Sequence, residues 1–462
     1  MSIVTDDPEM KACIDQLDVY LHEAMIEHHF PSFAIGIMHD QDVVLSSAYG
    51  YADHEKKVPA TSHTIYALGS ITKLFTATLL LQMRDAGKVN LDDPLTAYLP
   101  ELKIVSAFGE VRPPTFRQTV AHIAGFPNFS EGSLRQEKDV VIAPLLEEMF
   151  TPKLVIPPMT EHRYSNLGIS LMGHALARIS GQSYEEMVQT HILDPLGMKM
   201  TAFSIRDEMR PYLATGYVAS HGSERSQKIA PYFEAGGMKP AGGLYSSIED
   251  MERFIALQFR TESTGSSVDV PILDGRSIRE MHSPTFFLNQ EWRNAIGLGW
   301  FLERLGKYTI VGHDGGIFGF GSDLLLVPAL KLGMILLTNV GSPVNGVSRG
   351  VLERLLPVFE RYQLRQQEDG ERALAPIPLD WQCYEGAYTE LNLTQTLRIL
   401  FTPTMLKVQA PDGSESRLEK EGEQSFRGRG GPLDGELFTF CKHETGIVES
   451  LKVSLFEFVR TQ

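Results

Sequence analysis

The order of predicted strands and helices along the chain constrains the fold more than any other feature. Two short apolar runs at residues 34–38 and 43–48 flank a polar tetrapeptide and predict a hairpin near the N-terminus. Strands return only after residue 297, behind a long stretch of helical patterns broken by Pro and Gly. This order predicts an α/β (α+β) fold, in which both parts of the chain build one sheet with helices on its faces.

The composition and the hydrophobic pattern of the sequence change again near residue 366. Residues 366–378 are mostly polar and contain two prolines, which is typical of a linker. Short apolar runs in broken alternation follow, with the hairpin-turn pair Asp412-Gly413 among them. We therefore predict a first domain over residues 1–365, a linker over 366–378 and a small all-β barrel domain over 379–462.

Charge and cysteine content exclude several classes of function. The formal net charge of −16 disfavours nucleic acid and anionic membranes as partners. The three cysteines lack the spacing of a zinc site or a disulfide framework, and we predict neither a metal nor a cofactor. No signal-peptide pattern and no run long enough to span a bilayer is visible, which predicts a cytoplasmic protein without membrane contact.

A serine and a lysine stand three residues apart at the start of an apolar segment. Ser70 and Lys73 open a pattern that predicts a largely buried helix over residues 70–85. Residues three apart share one helix face, so the Lys73 amine can reach the Ser70 hydroxyl. A buried lysine can remove the serine proton and create a nucleophile. Alone, the pair is equally compatible with a capping serine beside a solvated lysine.

Two further motifs carry groups suited to the same chemistry. A phenol such as Tyr164 can relay protons if positive neighbours lower its pKa, and the Asn166 amide can hold an amine or a carbonyl. His313, Gly315 and Gly316 end a predicted strand, where glycines let a substrate lie against the strand edge. Each motif alone is more typical of a core tyrosine, a turn asparagine and a tight turn.

Together the motifs resemble the serine β-lactamase and penicillin-binding-protein superfamily, in particular class C β-lactamases, family VIII esterases and D-aminopeptidases. The resemblance rests on Ser-x-x-Lys at residues 70–73, Tyr-x-Asn at 164–166 and His-x-Gly at 313–315. The resemblance covers roughly residues 16–361. It implies a β-lactamase/transpeptidase-like fold, in which helices flank an antiparallel sheet and form an additional helical lobe. Further agreeing stretches are residues 91–95, 122–127, 168–173, 242–246 and 297–300.

The resemblance implies a serine hydrolase that works through an acyl-enzyme. Ser70 would attack a carbonyl, and Lys73 together with Tyr164 would accept its proton. Tyr164 would then protonate the leaving group and activate the deacylating water. The substrate would be a small molecule or a short peptide with an ester or amide bond.

The resemblance also implies the residues that hold the substrate. Asn166 would position the substrate and the catalytic lysine, and His313 would support the tyrosine or touch the substrate. The backbone N–H groups of Ser70 and Gly316 would form an oxyanion hole next to Gly315.

Departures from the family pattern bear on the substrate. His313 and Asp314 occupy the positions where β-lactamases place the Lys and Thr that bind the drug carboxylate, which argues against efficient β-lactam hydrolysis. Residues 121–125 lack the hydroxyls of the related Thr-His-Thr-Ser-Gly stretch, and Pro158-Met159 replaces a common Pro-Gly. Neither of these last two changes is expected to touch the chemistry directly.

Several functions remain open at this point. The leading hypothesis is an esterase or peptidase, with a D-amino-acid-specific peptidase or amidase as the alternative. A catalytically silent, penicillin-binding type of sensor could use the same pocket. Residues 384–388 resemble the start of lipocalin-like domains, which could cover the site, join a homo-oligomer or only add stability.

Two other patterns are weaker candidates. Residues 346–350 fit Gly-x-Ser-x-Gly, but Ser348 lies several residues beyond the predicted strand and only one histidine follows it. Histidines and glutamates at residues 22–29 suggest a metal helix, yet Ile26 stands where His-Glu-x-x-His needs its second histidine.

Overall fold

The computed structural model describes residues 7–129, 150–219, 227–230, 232, 234–260, 272–291, 293–372, 377–390, 395–443 and 447–461. The chain divides into two compact units, Met1–Glu360 and Arg361–Gln462. Within the described ranges, no helix is both long enough and apolar enough to cross a membrane.

The α-helices of the described residues are α1 (Pro8–Glu27), α2 (Thr72–Asp85), α3 (Phe116–Val120), α4 (Asn166–Ser180), α5 (Tyr184–Val188), α6 (Asp194–Leu196), α7 (Lys239–Gly242), α8 (Ile248–Leu257), α9 (Gly275–Met281) and α10 (Asn345–Arg372). Side chains cap several of them, as the sequence pattern requires. Asp7 accepts from two backbone N–H groups at the start of α1, and Ser165 accepts from Gly168 N at the start of α4.

The strands of the described residues are β1 (Ser32–His39), β2 (Asp42–Asp53), β3 (Val58–Pro59), β4 (Tyr66–Ala67), β5 (Tyr217–Ala219), β6 (Gln227–Ile229), β7 (Tyr245–Ser246), β8 (Phe286–Phe287), β9 (Asn294–Ile296), β10 (Phe301–Leu305), β11 (Tyr308–Ile317), β12 (Phe320–Val327), β13 (Leu332–Thr338), β14 (Gly386–Glu390), β15 (Thr396–Phe401), β16 (Leu406–Gln409), β17 (Glu415–Lys420), β18 (Ser425–Arg429), β19 (Leu437–Lys442), β20 (Val448–Val453) and β21 (Phe456–Arg460).

One antiparallel sheet joins the two ends of the first unit, as the sequence predicts. Among the described residues it has nine strands in the order β3-β2-β1-β13-β12-β11-β10-β9-β8. The early strand β1 pairs with the late strand β13 from Phe33↔Thr338 to His39↔Leu332. Both strands are almost wholly buried because helices cover both faces. A Cβ at Gly333 would lie 2.4 Å from Ile255 Cγ2, so glycine lets α8 approach the sheet closely.

Helix α2 lies in the core of this unit. Eleven of its residues are buried, and its threonine hydroxyls hydrogen-bond within the helix or to neighbouring segments. Thr76 Oγ1 donates to Pro240 O at 2.6 Å, and Phe75 stacks on Phe254 with 4.1 Å between ring centroids. A helix that is buried all round in this way holds its N-terminal residues in a fixed position.

The second unit is a closed antiparallel barrel. Within the described residues it consists of the eight strands β14 to β21 in sequential order, and β21 pairs back with β14. Alternating side chains fill its interior, and Tyr388 OH donates to Tyr384 O at 2.7 Å. The barrel predicted for the C-terminal part of the chain is thus present.

The structure differs from the sequence-based expectation in several details. Strands return before residue 297, because the short β8 and β9 already extend the edge of the main sheet. Helix α10 continues to Arg372 and takes in the first residues of the stretch whose composition suggests a linker, because Gln, Glu and Arg have high helix propensity. Residues 297–300 form a bend, and β10 begins only at Phe301. Gly299 has φ +85°, and its Cβ would lie 2.8 Å from the Ala77 Cβ, so the chain turns there against α2.

Candidate active site

Ser70 lies in a 3₁₀ turn, Gly69–Ile71, that leads directly into α2. Gly69 has φ +53°, and a Cβ there would lie 2.9 Å from Gly316 N. Glycine therefore permits the turn to pass against β11. The half-buried Ser70 is held next to the backbone N–H groups of both segments.

Lys73 is a buried amine with three close oxygen neighbours. It is only 1% exposed, and its Nζ lies 2.9 Å from Ser70 Oγ, 2.7 Å from Asn166 Oδ1 and 2.6 Å from Ala241 O. Burial lowers the pKa of Lys73 well below its ordinary value, and the opposing charge of Asp314 only partly compensates. A neutral amine donates twice and accepts once, so it can donate to the two carbonyl oxygens and accept from the hydroxyl.

Asn128 orients the amide that faces the lysine. The Asn166 Nδ2 group donates to Asn128 Oδ1 at 2.8 Å, which leaves Asn166 Oδ1 turned toward Lys73. The backbone of the segment is tied in the same way, because Leu167 N donates to Asn128 O at 3.0 Å. The sequence analysis missed Asn128, since nothing in the pattern around it distinguishes it from a loop asparagine.

Tyr164 completes the group around Ser70. Its phenol lies close enough to the Ser70 hydroxyl for the two groups to interact, and Lys73 Nζ lies 4.9 Å from its ring centroid. Burial raises the pKa of Tyr164 above its ordinary value. This reverses the direction considered from sequence, because burial of the phenol disfavours its charged form more than the Ser70 hydroxyl favours it.

His122 accepts hydrogen bonds from the backbone N–H groups of the two residues that flank Tyr164. Its backbone carbonyl accepts from Arg163 N at 2.7 Å, and its ring Nδ1 accepts from Ser165 N at 3.2 Å. The two rings pack with 4.4 Å between centroids, and His122 adopts φ +55°. Burial holds the pKa of His122 well below its usual range, which keeps Nδ1 free to accept. The motifs identified from sequence gave His122 no role, although it lies directly beside Tyr164.

His313 lies against the other side of the same aromatic cluster. Its Nδ1 donates to Asp314 O at 2.6 Å, and its ring centroid lies 6.1 Å from that of Tyr164 and 5.2 Å from that of Phe301. Burial lowers the pKa of His313 to about 4, so the ring is neutral near pH 7. Its second nitrogen, Nε2, is buried without a hydrogen-bond partner among the described residues.

The glycines of β11 allow this strand to lie against the serine turn. A Cβ at Gly315 would lie 2.2 Å from Leu68 O, 2.3 Å from Ser322 Oγ and 3.1 Å from Ser70 N. Strand β10 pairs with β11 only as far as Phe301↔Gly312, so the described β10 leaves the following edge of β11 uncovered. A substrate can lie along that edge with its carbonyl between the two segments.

The residues of the three family-like motifs meet at this one place. The structure brings together, within hydrogen-bond, ring or backbone contact of one another, Ser70, Lys73, Tyr164, Asn166, His313, Gly315 and Gly316. The weaker candidates lie elsewhere. Ser348 is buried inside α10 and bonds to Val344 O, and His22 lies on the exposed face of α1 beside Asp18.

The chain belongs to the beta-lactamase family. The family model described as Beta-lactamase matches residues 15–356, which covers most of the chain and the whole site. This family contains serine hydrolases as well as members that do not catalyse a reaction, so membership defines the class of site and leaves the reaction to be argued from its residues.

Curated relatives are similar at a moderate level. Beta-lactamase-like protein 2 of Dictyostelium discoideum is 28% identical over 78% of this chain and 66% of its own length. Putative beta-lactamase-like 1 of Homo sapiens is 27% identical over 90% and 79%, and Protein flp of Staphylococcus aureus is 28% identical over 71% and 63%. The chain thus spans slightly less than two thirds of the Dictyostelium and staphylococcal proteins.

Solved structures share the fold. The octameric penicillin-binding protein homologue from Pyrococcus abyssi superposes with a TM-score of 0.63 at 23% identity, over 97% of this chain and 100% of that chain. A class C beta lactamase from Rhodobacter sphaeroides gives a TM-score of 0.60 at 22% identity, over 74% and 99%. The first match includes the barrel unit, whereas the second covers about as much as the first unit.

Proposed function

We propose that this protein hydrolyses an ester or amide bond through an acyl-enzyme formed on Ser70. The observation that carries the proposal is the buried Lys73 amine, 2.9 Å from Ser70 Oγ and with a lowered pKa. A hydroxyl with a neutral base at hydrogen-bond distance has the arrangement that nucleophilic catalysis requires.

The acylation step follows from the contacts. Ser70 Oγ attacks the substrate carbonyl carbon while its proton passes to Lys73 Nζ, directly or through the Tyr164 hydroxyl. The electron pair of the carbonyl moves onto its oxygen, which the N–H groups of Ser70 and Gly316 stabilise. When this intermediate collapses, the bond to the leaving group breaks, and the proton reaches the leaving atom through Tyr164.

Deacylation uses the same groups in the reverse direction. Water loses a proton toward Tyr164 and the neutral Lys73, its oxygen attacks the acyl carbon, and the bond to Ser70 Oγ breaks with return of the proton. The high pKa of Tyr164 favours a phenol that hands one proton on as it receives another, and disfavours a resting phenolate. Tyr164 therefore acts as a proton relay between Lys73 and the substrate.

The residues of the third motif restrict the range of substrates that we expect among those known for the fold. The pair His313-Asp314 offers no cation for the carboxylate of a β-lactam, which favours simple esters and short peptides or amides. A D-amino-acid-specific peptidase or amidase is the alternative, because the chain carries a barrel unit and aligns along its whole length with a penicillin-binding protein homologue.

Covalent trapping tests the proposal. We expect a fluorophosphonate probe to add one equivalent to the wild-type chain and none to Ser70→Ala, as measured by intact mass after native incubation. Ser348→Ala, which changes a serine inside α10, is the matched control and is expected to label fully. Turnover of p-nitrophenyl esters, D-Ala peptides and a cephalosporin then ranks the substrates.

The outcomes separate the three functions. Labelling with turnover of esters only supports the esterase, and faster turnover of D-Ala peptides supports the peptidase. An acyl-enzyme that forms but is not hydrolysed identifies a silent sensor and contradicts hydrolysis. Labelling of Ser70→Ala at the wild-type level would overturn the assignment of the nucleophile.

His122 is expected to act as a positioning residue for Tyr164. Replacing it with leucine removes the acceptor for Ser165 N, so we expect kcat to fall by about 10- to 100-fold with little change in KM. The loss should be larger for an alkyl ester than for a p-nitrophenyl ester, because only the alkoxide needs the proton that Tyr164 delivers.

Two further variants separate positioning from general destabilisation. Asparagine tolerates positive φ and offers an amide oxygen, so His122→Asn should recover part of the lost rate on the alkyl ester. His282→Leu removes another buried imidazole, which packs on Trp300 away from the site, and should lower both rates equally if at all. Equal losses on both esters in His122→Leu would count against the positioning role.

A further inference from the structure

A cavity of about 360 Å³ opens at the end of β11, directly beside the two glycines that face the serine turn. Asp314 and Gly316 lie on its wall, together with Ser342 and Asn345 at the start of α10. The cavity therefore continues the substrate-binding edge of β11 away from Ser70. Among the described residues that line it, Asp314 is the one charged residue, and the others are apolar or neutral polar.

Asp314 and Gly316 point to the same face of β11, because alternate residues of a strand share a face. Gly316 is exposed, and a Cβ built on it would meet nothing within 4 Å in the described structure. Two residues along a strand correspond to roughly 7 Å. A substrate whose carbonyl oxygen binds the Gly316 N–H thus has open space over this glycine and the Asp314 carboxylate within a few bonds.

The carboxylate of Asp314 has no cationic partner among the described residues. The ion pairs of the described chain do not include it, and the nearest basic groups of the site, Lys73 and His313, are buried and have lowered pKa values, which disfavours their charged forms. Across the strand pair it faces Asp323, whose pKa burial raises to about 7. The local charge is therefore negative and uncompensated at the mouth of the site.

We propose that the cavity beside β11 is the subsite for a cationic group of the substrate, an organic ammonium held by Asp314 close to the reacting carbonyl. The inference deepens the proposed function and rests on it. An anionic group is repelled by this carboxylate, and the described residues offer no set of three or more ligands for a metal ion. The chemistry therefore points to an amino-acyl or aminoalkyl substrate.

Binding of such a cation also assists the nucleophile. The charge of Asp314 raises the pKa of Lys73 and so opposes its role as a neutral base. An ammonium seated on Asp314 cancels that charge, which makes the lysine a neutral amine over a wider range of pH. The substrate that fills the subsite thereby strengthens the base that attacks it.

A pair of isosteric esters tests this subsite. The p-nitrophenyl ester of 4-(trimethylammonio)butyrate carries a quaternary ammonium that cannot cyclise, and the p-nitrophenyl ester of 5,5-dimethylhexanoate replaces that nitrogen by carbon. We expect the wild-type chain to prefer the cationic ester in kcat/KM by about tenfold after correction for spontaneous hydrolysis. Raising the salt concentration should reduce this ratio.

Charge-neutral variants locate the effect. Asp314→Asn should bring the ratio of the two esters to about one, whereas Asp15→Asn, an equal charge change on the exposed face of α1, should leave it as in wild type. A wild-type ratio near one, or a tenfold ratio that survives in Asp314→Asn, overturns the inference. Failure of both esters together with absent labelling of Ser70 would instead refute the proposed hydrolysis.

Discussion

Replacing Lys73 with methionine is expected to lower kcat/KM for an activated ester by about 10³- to 10⁴-fold. Methionine has a flexible unbranched chain that fits the same channel, but it cannot accept the Ser70 proton. The hydroxyl would remain beside an apolar group, and the two carbonyl oxygens of Asn166 and Ala241 would lose their donor. The acylation rate from stopped-flow kinetics measures the effect directly.

A second lysine substitution separates charge from basicity. Arginine stays protonated near pH 7, so Lys73→Arg should be as inactive as the methionine variant even though it keeps a cation. Lys88→Met removes an exposed lysine just beyond α2 and is expected to retain full activity. Retention of more than about a tenth of wild-type acylation by either Lys73 variant would contradict the role of Lys73 as the base.

The lowered pKa of Lys73 also sets the pH dependence of rate and stability. The base is active when neutral, so the acid limb of kcat/KM should lie far below the pH at which an ordinary lysine deprotonates. The unfolded chain binds a proton on this lysine up to its ordinary pKa of 10.5, whereas the folded chain loses that proton at a lower pH. The free energy of unfolding contributed by Lys73 therefore rises with pH across that window.

Urea unfolding at pH 7 and pH 9 checks the sign of this effect. The wild-type chain should gain stability relative to Lys73→Met as the pH rises. Folding of the wild type requires Lys73 to lose its proton, and the free energy needed for that deprotonation falls with rising pH. A constant difference between the two chains at both pH values would show that Lys73 is protonated in the fold. That result would leave Ser70 without its neutral base.

Gly315→Ala is expected to disrupt the site by steric contact. The added Cβ would lie 2.2 Å from Leu68 O and 2.3 Å from Ser322 Oγ, so β11 must move away from the serine turn. We expect a loss of about 1–3 kcal/mol in the free energy of unfolding. Displacement of the oxyanion donors by about 1 Å should lower kcat/KM by roughly 100-fold.

The neighbouring glycine provides the matched control for stability. A Cβ at Gly316 meets nothing within 4 Å of the described structure, so Gly316→Ala should unfold at the same urea concentration as wild type. Thermal or urea unfolding of both variants makes the comparison. Equal stability of Gly315→Ala and the wild type would mean that the strand and the turn are not in close contact.

Much of the architecture follows from local pattern. The hairpin of β1 and β2, the buried helix α2 and the barrel strands are visible in the sequence as apolar runs or alternations, because buried positions require apolar side chains. The spacing of Ser70 and Lys73 also predicts their contact, since one helical turn determines it. These features depend on residues close together in the chain.

The local pattern does not predict how deeply each active-site side chain is buried, or which residue from a distant part of the chain it contacts. The support of Asn166 by Asn128 and the hydrogen bonds of His122 to the residues on either side of Tyr164 join segments separated by about 40 residues. The raised pKa of Tyr164 comes from its burial. None of these features was predicted from the sequence. The chain itself determined which chemical groups are present and which neighbours share a helix turn. Only the tertiary structure decided their solvation and their partners, because electrostatic energies and hydrogen bonds depend on distances through space.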